Sequence, residues 1–148
     1  MITYKANINR IRLVKEKSNY KKVKISSSRD AYEYIKSFYF DDISIFESFY
    51  LLLLNRANNT TGYVKISQGG ITGTIADPRI IAKYAIDSLC TSVILAHNHP
   101  SGNHYPSEAD KNLTTKIKTG LLLFDITTLD HIILTEDGYY SFADENII

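Results

Sequence analysis

The chain has 148 residues and a mass of 16.8 kDa, a length typical of one domain, so 1–148 is interpreted as a single unit. Its composition, 44% hydrophobic and 22% charged, is that of a globular protein and argues against a fibrous or disordered chain. The single cysteine, Cys90, excludes an internal disulfide and a cysteine-based zinc cluster. Because no signal-peptide pattern or membrane-length apolar run is visible, we expect a soluble cytoplasmic protein with no membrane contact.

Charge is distributed unevenly along the chain. Residues 1–36 carry ten Lys and Arg against three acidic residues, whereas residues 37–148 carry seven against thirteen. The field of such a basic N-terminal arm can attract nucleic acid or an acidic partner. The alternative is a pair of strands with solvated, lysine-rich faces, which discourage edge pairing. No aromatic platform or recognition helix accompanies the charge, so the sequence does not favour nucleic acid as a partner.

The first half of the chain predicts two short strands at 8–15 and 22–26, then a helix. Ser27 and Asp30 have the spacing of a capping box, which would open a helix running to about Phe40. The nearly unbroken apolar run at 49–55 is typical of a strand covered on both faces. The turn-forming residues after it predict a hairpin that returns at 63–67.

The second half alternates helix and strand signals. Asp77 followed by Pro78 predicts a helix start, and Ser107 predicts another, whose helix we expect Gly120 to end in a left-handed cap. Further strands are predicted at 92–96, 121–124, 129–134 and 139–142. Helices interleaved with strands and hairpins indicate an α/β or α+β sandwich around a mixed sheet.

A metal site is predicted where the strand at 92–96 ends. Side chains alternate along a strand, so His97 and His99 point the same way and can converge on one ion. If Ser107 caps a helix, Asp110 lies in its first turn, and the loop at 100–106 is long enough to fold that turn over the histidines. Two imidazoles and one carboxylate leave a fourth position for water, as in a catalytic zinc site.

Each part of this pattern also has a purely structural interpretation. Ser107 and Asp110 form a capping box by spacing alone, and a single histidine after a strand is more often a hydrogen-bonded loop residue than a ligand. The conjunction of H-x-H, a Pro-Ser-Gly turn and S-x-x-D favours the metal site.

The string His97-Asn98-His99-Pro100-x6-Ser107-x-x-Asp110 resembles the H-x-H-x7-S-x-x-D signature of JAB/MPN (JAMM) metalloproteases, and the run from Ile94 to Gly102 resembles their RadC-like bacterial branch. The segments at 69–74 and 129–134 add to this resemblance, which covers about residues 45–145. It implies a cytidine-deaminase-like α-β-α fold with one zinc ion held by His97, His99 and Asp110.

The resemblance also implies roles for two further residues. Glu47, which precedes the apolar strand, matches the family's general base, and Ser107 matches the donor to the oxyanion. From the residues alone, a carboxylate at the mouth of an apolar strand is costly to bury without a partner, which favours a functional role. The alternative is a solvated strand-end glutamate. The Ser107 hydroxyl could accept a bond from its helix while donating to the substrate.

The remaining candidates have structural interpretations. Surface exposure is expected for His104, although a substrate contact or a spare ligand stays open. A core or supporting hydrogen bond is expected for His131, and core packing for Cys90. The H-x-E and P-C-x-x-C motifs of the zinc deaminases are missing, which argues against nucleobase deamination.

Two classes of function follow. The first is a zinc-dependent hydrolase of peptide or isopeptide bonds, with an unknown peptide or protein substrate. The second is a non-catalytic accessory module in DNA repair or mobile-element biology, which the RadC resemblance suggests and which the basic arm could serve. Only 46 residues precede Glu47, fewer than we expect for the helix-hairpin-helix DNA-binding domain of longer family members.

Overall fold

The computed structural model describes residue 19 and residues 21–39, 42–69 and 74–148. Within these residues there are three helices and five strands: α1 (Ser28–Lys36), β1 (Ser48–Leu54), β2 (Thr60–Gln68), α2 (Pro78–Asp87), β3 (Ser92–Asn98), α3 (Glu108–Leu122), β4 (Thr127–Leu134) and β5 (Tyr139–Ser141). Among these helices, none has both the length and the apolar character needed to cross a membrane.

The strands form one mixed sheet in the order β2-β1-β3-β4-β5. The neighbouring strands β3 and β4 are parallel and are joined through α3, whereas the other three pairs are antiparallel. The predicted α+β architecture around a mixed sheet is therefore confirmed, with α3 as the crossover that a parallel pair requires.

Each face of the sheet has its own apolar core because side chains alternate along β1 and β3. Even-numbered residues such as Leu52 and Ile94 pack on the face of α1, together with Ile35 of that helix. Odd-numbered residues such as Leu51 and Leu95 pack on the opposite face, in the cluster that includes residues of α2 and α3. The same alternation places His97 on the α3 face of β3 and its neighbour Asn98 on the α1 face.

All three helices begin where the sequence predicts. Ser27 accepts a hydrogen bond from the Asp30 N–H at the start of α1, and Asp77 caps α2 with Pro78 in its first turn. At the start of α3, Ser107 and Asp110 form a reciprocal capping box. These local signals work because each side-chain oxygen takes one of the N–H groups that a helix start leaves unpaired.

The predicted end of α3 is wrong. Gly120 lies inside the helix, and the left-handed residue beyond it is Asp125, with φ of 55°. Residues 121–124 are accordingly the last helical residues and a turn, not a strand. Leu121 continues the helical spacing of Ile117 into the core, and this burial outweighs both the glycine and the apolar run that suggested a strand.

Other predicted elements differ in extent. Residues 22–26 form a single bridge, Lys24 to Asn59, instead of a strand. The first helix ends at Lys36, before the predicted end near residue 40. The strand predicted at 8–15 lies outside the described residues, as does all of the glycine-rich segment 69–73 except Gly69. The predicted strands at 49–55, 63–67, 92–96, 129–134 and 139–142 correspond to β1 to β5, with small shifts at their ends.

Candidate metal centre

Three side chains from three adjacent parts of the chain meet beside the end of β3. His97 lies within β3, His99 follows its last residue, and Asp110 lies in the first turn of α3. The two Nε2 atoms are 2.9 Å apart, and Asp110 oxygens lie 3.3 Å from Nε2 of His97 and 3.6 Å from Nε2 of His99. Because these donor atoms all lie within 4.8 Å of one another, the three residues could hold a metal ion.

The two histidines are held differently. His97 is 1% exposed, and its ring lies parallel to that of Phe49 on the neighbouring β1, with centroids 5.7 Å apart. His99 is half-buried, and its Nδ1 donates to the Asn103 carbonyl at 2.6 Å. A carbonyl only accepts, so a neutral His99 keeps its lone pair on Nε2, the atom that faces His97 and Asp110.

The loop between β3 and α3 folds back over the strand end as predicted. The N–H of Gly102 donates to the His99 carbonyl at 3.1 Å, and Gly102 has a φ of 84°, in the left-handed region that favours glycine. Beyond this turn, Asn103 supplies the carbonyl that orients His99. The turn therefore both reverses the chain and orients one candidate ligand, His99.

The capping box of α3 also orients Asp110. Its Oδ2 accepts from the Ser107 N–H and from the Ser107 hydroxyl, each at 2.7 Å, while Ser107 Oγ accepts from the Asp110 N–H at 3.1 Å. The predicted helix-capping role of Ser107 is thus present. Its hydroxyl hydrogen points to Asp110, so it would have to turn away from that carboxylate to reach a substrate.

The close approach of the three candidate ligands shifts the pKa values of Asp110 and His99. Partial burial raises the pKa of Asp110, but the proximity of its carboxylate to the imidazoles of His97 and His99 and its bond to Ser107 outweigh burial and hold the pKa well below its usual range. Burial lowers the pKa of His99, but its bonds to Asp110 and the Asn103 carbonyl outweigh that effect and raise the pKa above 6.5. The cluster therefore favours an anionic carboxylate with positive charge beside it.

The described part of the chain contains a cleft of about 400 Å³ beside His99. Its lining residues are Glu47, His99, Pro100, Ser101, Asn103, Tyr105, Pro106 and Ser107. Glu47 is half-buried, and its negative charge contributes to the raised pKa of His99. Among the residues that the structure describes, no hydrogen bond or ion pair joins the Glu47 carboxylate to another residue, and Glu47 lines the cleft.

The position of Glu47 depends on Asn98, a residue that the sequence analysis did not single out. The fully buried Asn98 amide accepts from the Ser48 N–H at 2.8 Å and donates to the carbonyls of Ile43 and Phe46 at 2.6 and 2.7 Å. These bonds fasten both sides of Glu47 to β3, the strand that carries His97. The only signal in the sequence is an amide at the end of a mostly apolar strand, which by itself does not identify a partner.

His131, for which a core or supporting hydrogen bond was predicted, is fully buried beside His97. Its Nε2 lies 2.8 Å from Nδ1 of His97, and its Nδ1 lies 2.6 Å from Oγ1 of Thr114. Complete burial holds the pKa of His131 well below its usual value. Thr114 was not predicted, although its position four residues after Asp110 places it on the same face of α3.

The remaining candidates, His104 and Cys90, do not belong to the group that could hold an ion. His104 is half-buried in the loop, and its ring centroid lies 4.7 Å from that of Tyr105. Cys90 is buried at 7% exposure in the core between the sheet and α2, as predicted.

Comparisons with known proteins match the chain to one family. A family model described as a RadC-like JAB domain matches residues 25–147. A "UPF0758 protein" of Flavobacterium johnsoniae is 44% identical over 124 residues, covering 84% of this chain and 53% of the relative. Proteins of the same name from Porphyromonas gingivalis and Chlorobium phaeovibrioides are 40% and 34% identical, covering 84% and 97% of this chain and 54% and 57% of the relatives. The chain thus spans little more than half the length of these relatives.

Proposed function

Because the chain belongs to the family of RadC-like JAB domains, we propose that it is a zinc-dependent hydrolase of peptide or isopeptide bonds. The observation that carries the proposal is the convergence of two imidazole nitrogens and one carboxylate within 4.8 Å beside a cleft that Glu47 enters. Zinc accepts this set of nitrogen and oxygen donors, and three protein ligands leave the open position of a catalytic site.

The chemistry of the donors fits a cation. A neutral His99 directs the lone pair of its Nε2 at the Asp110 carboxylate, and both groups face Nε2 of His97. Only a proton or a metal ion can stabilise this arrangement. A bound zinc ion would polarise the scissile carbonyl and lower the pKa of water to about 7. The ligands of this ion would be His97, His99 and Asp110.

The proposed role of Glu47 is general base and then general acid. Its carboxylate, which has no protein partner among the described residues, would take a proton from the attacking water and pass it to the leaving amine. Asn98 would keep that carboxylate at a constant distance from β3 through its three bonds to the backbone on either side. This arrangement reduces the reorganisation needed during proton transfer.

Ser107 would supply a hydrogen bond to the oxyanion. Its hydroxyl lies in the wall of the cleft and can rotate from Asp110 toward a bound carbonyl, while the Ser107 N–H continues to hold the carboxylate. Ser107 would therefore give up one of its two hydrogen bonds to Asp110. In exchange, its hydroxyl would donate to the substrate oxygen when that oxygen becomes negative.

The test combines metal analysis with cleavage. The untagged 148-residue chain should contain zinc. It should also cleave members of a peptide library that offers both α-peptide and lysine ε-isopeptide bonds, as judged by mass spectrometry. A chelator should abolish cleavage and added zinc should restore it. Absence of zinc binding would contradict the proposal.

The variant that isolates the general base is Glu47→Gln. We expect hydrolysis to fall by about 10²–10⁴-fold while zinc remains bound, because the amide cannot accept the proton. The matched control is Glu108→Gln, which removes an exposed glutamate that pairs with Lys111 on α3; it should leave hydrolysis unchanged. Loss of zinc from the Glu47 variant would make Glu47 a ligand instead.

The nucleic-acid-binding alternative rests on the charge of residues 1–36, half of which lie outside the described residues. It predicts an affinity for DNA that falls steeply with salt and disappears when the lysines of residues 1–24 are replaced. If that titration detects no DNA binding, the hydrolase remains the proposed function.

A further inference from the structure

A chain of buried hydrogen bonds runs from the backbone of α3 to the ligand His97. The Thr114 hydroxyl donates to the Asp110 carbonyl at 2.6 Å, and the same oxygen lies 2.6 Å from Nδ1 of His131. On the other side of that ring, Nε2 of His131 lies 2.8 Å from Nδ1 of His97. Thr114 and His131 are 3% and 0% exposed, so water does not compete for these bonds.

The position of each hydrogen follows from the Thr114 hydroxyl. A carbonyl can only accept, so the single hydroxyl hydrogen goes to Asp110, and Thr114 Oγ1 must accept from Nδ1–H of His131. A neutral His131 then has only a lone pair on Nε2, which must accept from Nδ1–H of His97. His97 is left with a lone pair on Nε2, the atom that faces His99 and Asp110.

We propose that Thr114 and His131 are positioning residues that hold His97 in the one tautomer able to bind a metal ion through Nε2. The inference rests on the metal site of the proposed function and adds two residues that do not contact the ion. If each bond in this chain of hydrogen bonds, which we call the relay, ran in the opposite direction, the proton of His97 would lie on Nε2, among the ligand atoms. A metal ion would then have to displace that proton before it could bind.

Packing keeps the His131 ring in the orientation that the relay needs. The ring stacks on Phe142, with centroids 4.7 Å apart and planes 24° apart, and Phe49 meets it edge-on at 5.5 Å. A flipped ring would place carbon atoms opposite Thr114 and His97 and leave buried polar groups unpaired, which is costly in a site that water does not reach. Asp110 belongs both to the proposed metal site and to the relay, since its side chain is a proposed ligand and its carbonyl accepts from Thr114.

The decisive variant is Thr114→Val, which keeps the shape of the side chain and removes the acceptor. His131 must then either leave a buried N–H unpaired or move its proton to Nε2, which would force the proton of His97 onto its own Nε2. We expect zinc affinity, measured by competition with a chromophoric chelator, to fall by about 10–100-fold. Thr114→Ser keeps the hydroxyl and should keep the wild-type affinity.

The matched control is Thr115→Val in the same helix. Thr115 donates to the Lys111 carbonyl at 3.0 Å, the same bond to the fourth preceding residue that Thr114 makes, but it is exposed and contacts no imidazole. It should bind zinc like the wild type. A fall in affinity equal to that of Thr114→Val would show a general effect on the helix and overturn the proposal.

Nitrogen-15 NMR of the histidine rings tests the relay in the wild-type full chain, without any variant. In both metal-free and zinc-loaded protein, His131 should carry its proton on Nδ1 and His97 on Nδ1. A proton on Nε2 of His131 overturns the proposal, as does wild-type zinc affinity in Thr114→Val. The two proposals fail separately: a protein with these tautomers that binds zinc and cleaves nothing contradicts the hydrolase alone.

Discussion

The helices α1 and α3 begin with the same four-residue pattern and put it to different uses. In α1, Ser27 accepts from the Asp30 N–H at 3.1 Å, and Asp30 accepts from the Ser26 N–H at 2.8 Å. In α3, Ser107 likewise accepts from the Asp110 N–H, at 3.1 Å, but Asp110 accepts from the N–H of the cap residue Ser107 itself, at 2.7 Å. Both aspartates accept from a backbone N–H at the helix start, but of the two only Asp110 has imidazoles beside its carboxylate, His97 at 3.3 Å and His99 at 3.6 Å.

The comparison separates what a capping box does from what its surroundings add. Both aspartates satisfy N–H groups at a helix start and interact favourably with the positive end of the helix dipole. Asp110 also shares its carboxylate with His97 and His99, because the crossover between β3 and β4 brings the start of α3 to the end of β3. A helix cap becomes a candidate ligand through that placement.

The largest expected difference between the two helix starts is in metal binding. Asp110→Asn removes the anionic ligand and keeps an oxygen that can cap the helix, so we expect zinc affinity to fall by more than about 100-fold, beyond the loss typical of residues that only support a ligand. Asp30→Asn should bind zinc like the wild type. Chelator competition measures both, and equal affinities in the two variants would show that Asp110 is no ligand.

The serines provide the next comparison. Ser107→Ala and Ser27→Ala should each lower the free energy of unfolding by about 0.5–2 kcal/mol, because each removes a helix cap. Only Ser107→Ala should also slow hydrolysis, by about 10²–10³-fold, because it removes the proposed donor to the oxyanion. Chemical denaturation and the cleavage assay measure the two effects. Unchanged hydrolysis in Ser107→Ala would leave Ser107 as a cap alone.

The smallest effect is the pH dependence of zinc stabilisation. The pKa of His99 lies above 6.5 in the metal-free fold, so its protonated form contributes stability that is complete below pH 6.5 and is lost as the pH rises through the folded value. Zinc must displace that proton. We therefore expect zinc affinity to fall by about tenfold per pH unit below the folded pKa.

Thermal denaturation with and without zinc, at several pH values on either side of 6.5, measures this effect. The rise in Tm caused by zinc should shrink as the pH falls. Asp30→Asn, which leaves the cluster intact, should follow the same curve, whereas Asp110→Asn should show almost no zinc effect at any pH. A stabilisation by zinc that is constant across this range would contradict the proposed ligand set.

Prediction from the sequence was most successful where a short segment carries its own signal. Helix starts depend on side chains within four residues, and Ser27, Asp77 and Ser107 identified all three in the described part of the chain. The buried strands β1 and β3 were visible as apolar runs. The end of α3 was predicted wrongly because burial of Leu121 in the core continued the helix past Gly120.

Of the site, H-x-H and S-x-x-D identified the three candidate ligands, whereas the residues that orient them were largely missed. Asn98 and Thr114 look ordinary in the sequence, since an amide in a strand and a threonine in a helix have many uses. Their partners lie 50 and 17 residues away along the chain, in Ser48 and His131. Such pairings arise from the order and register of strands, which local patterns do not specify.

The amino-acid pattern alone established the class of fold, the helix starts and the spacing of His97, His99 and Asp110. It could do so because capping and side-chain alternation act over a few residues and have definite geometry. Tertiary packing settled which face each histidine uses and which buried groups pair with His97 and with the backbone on either side of Glu47. It also settled why Asp110 differs from Asp30. Those outcomes depend on groups distant in the chain meeting at less than 3 Å in a water-free interior, where an unpaired polar atom is too costly to leave.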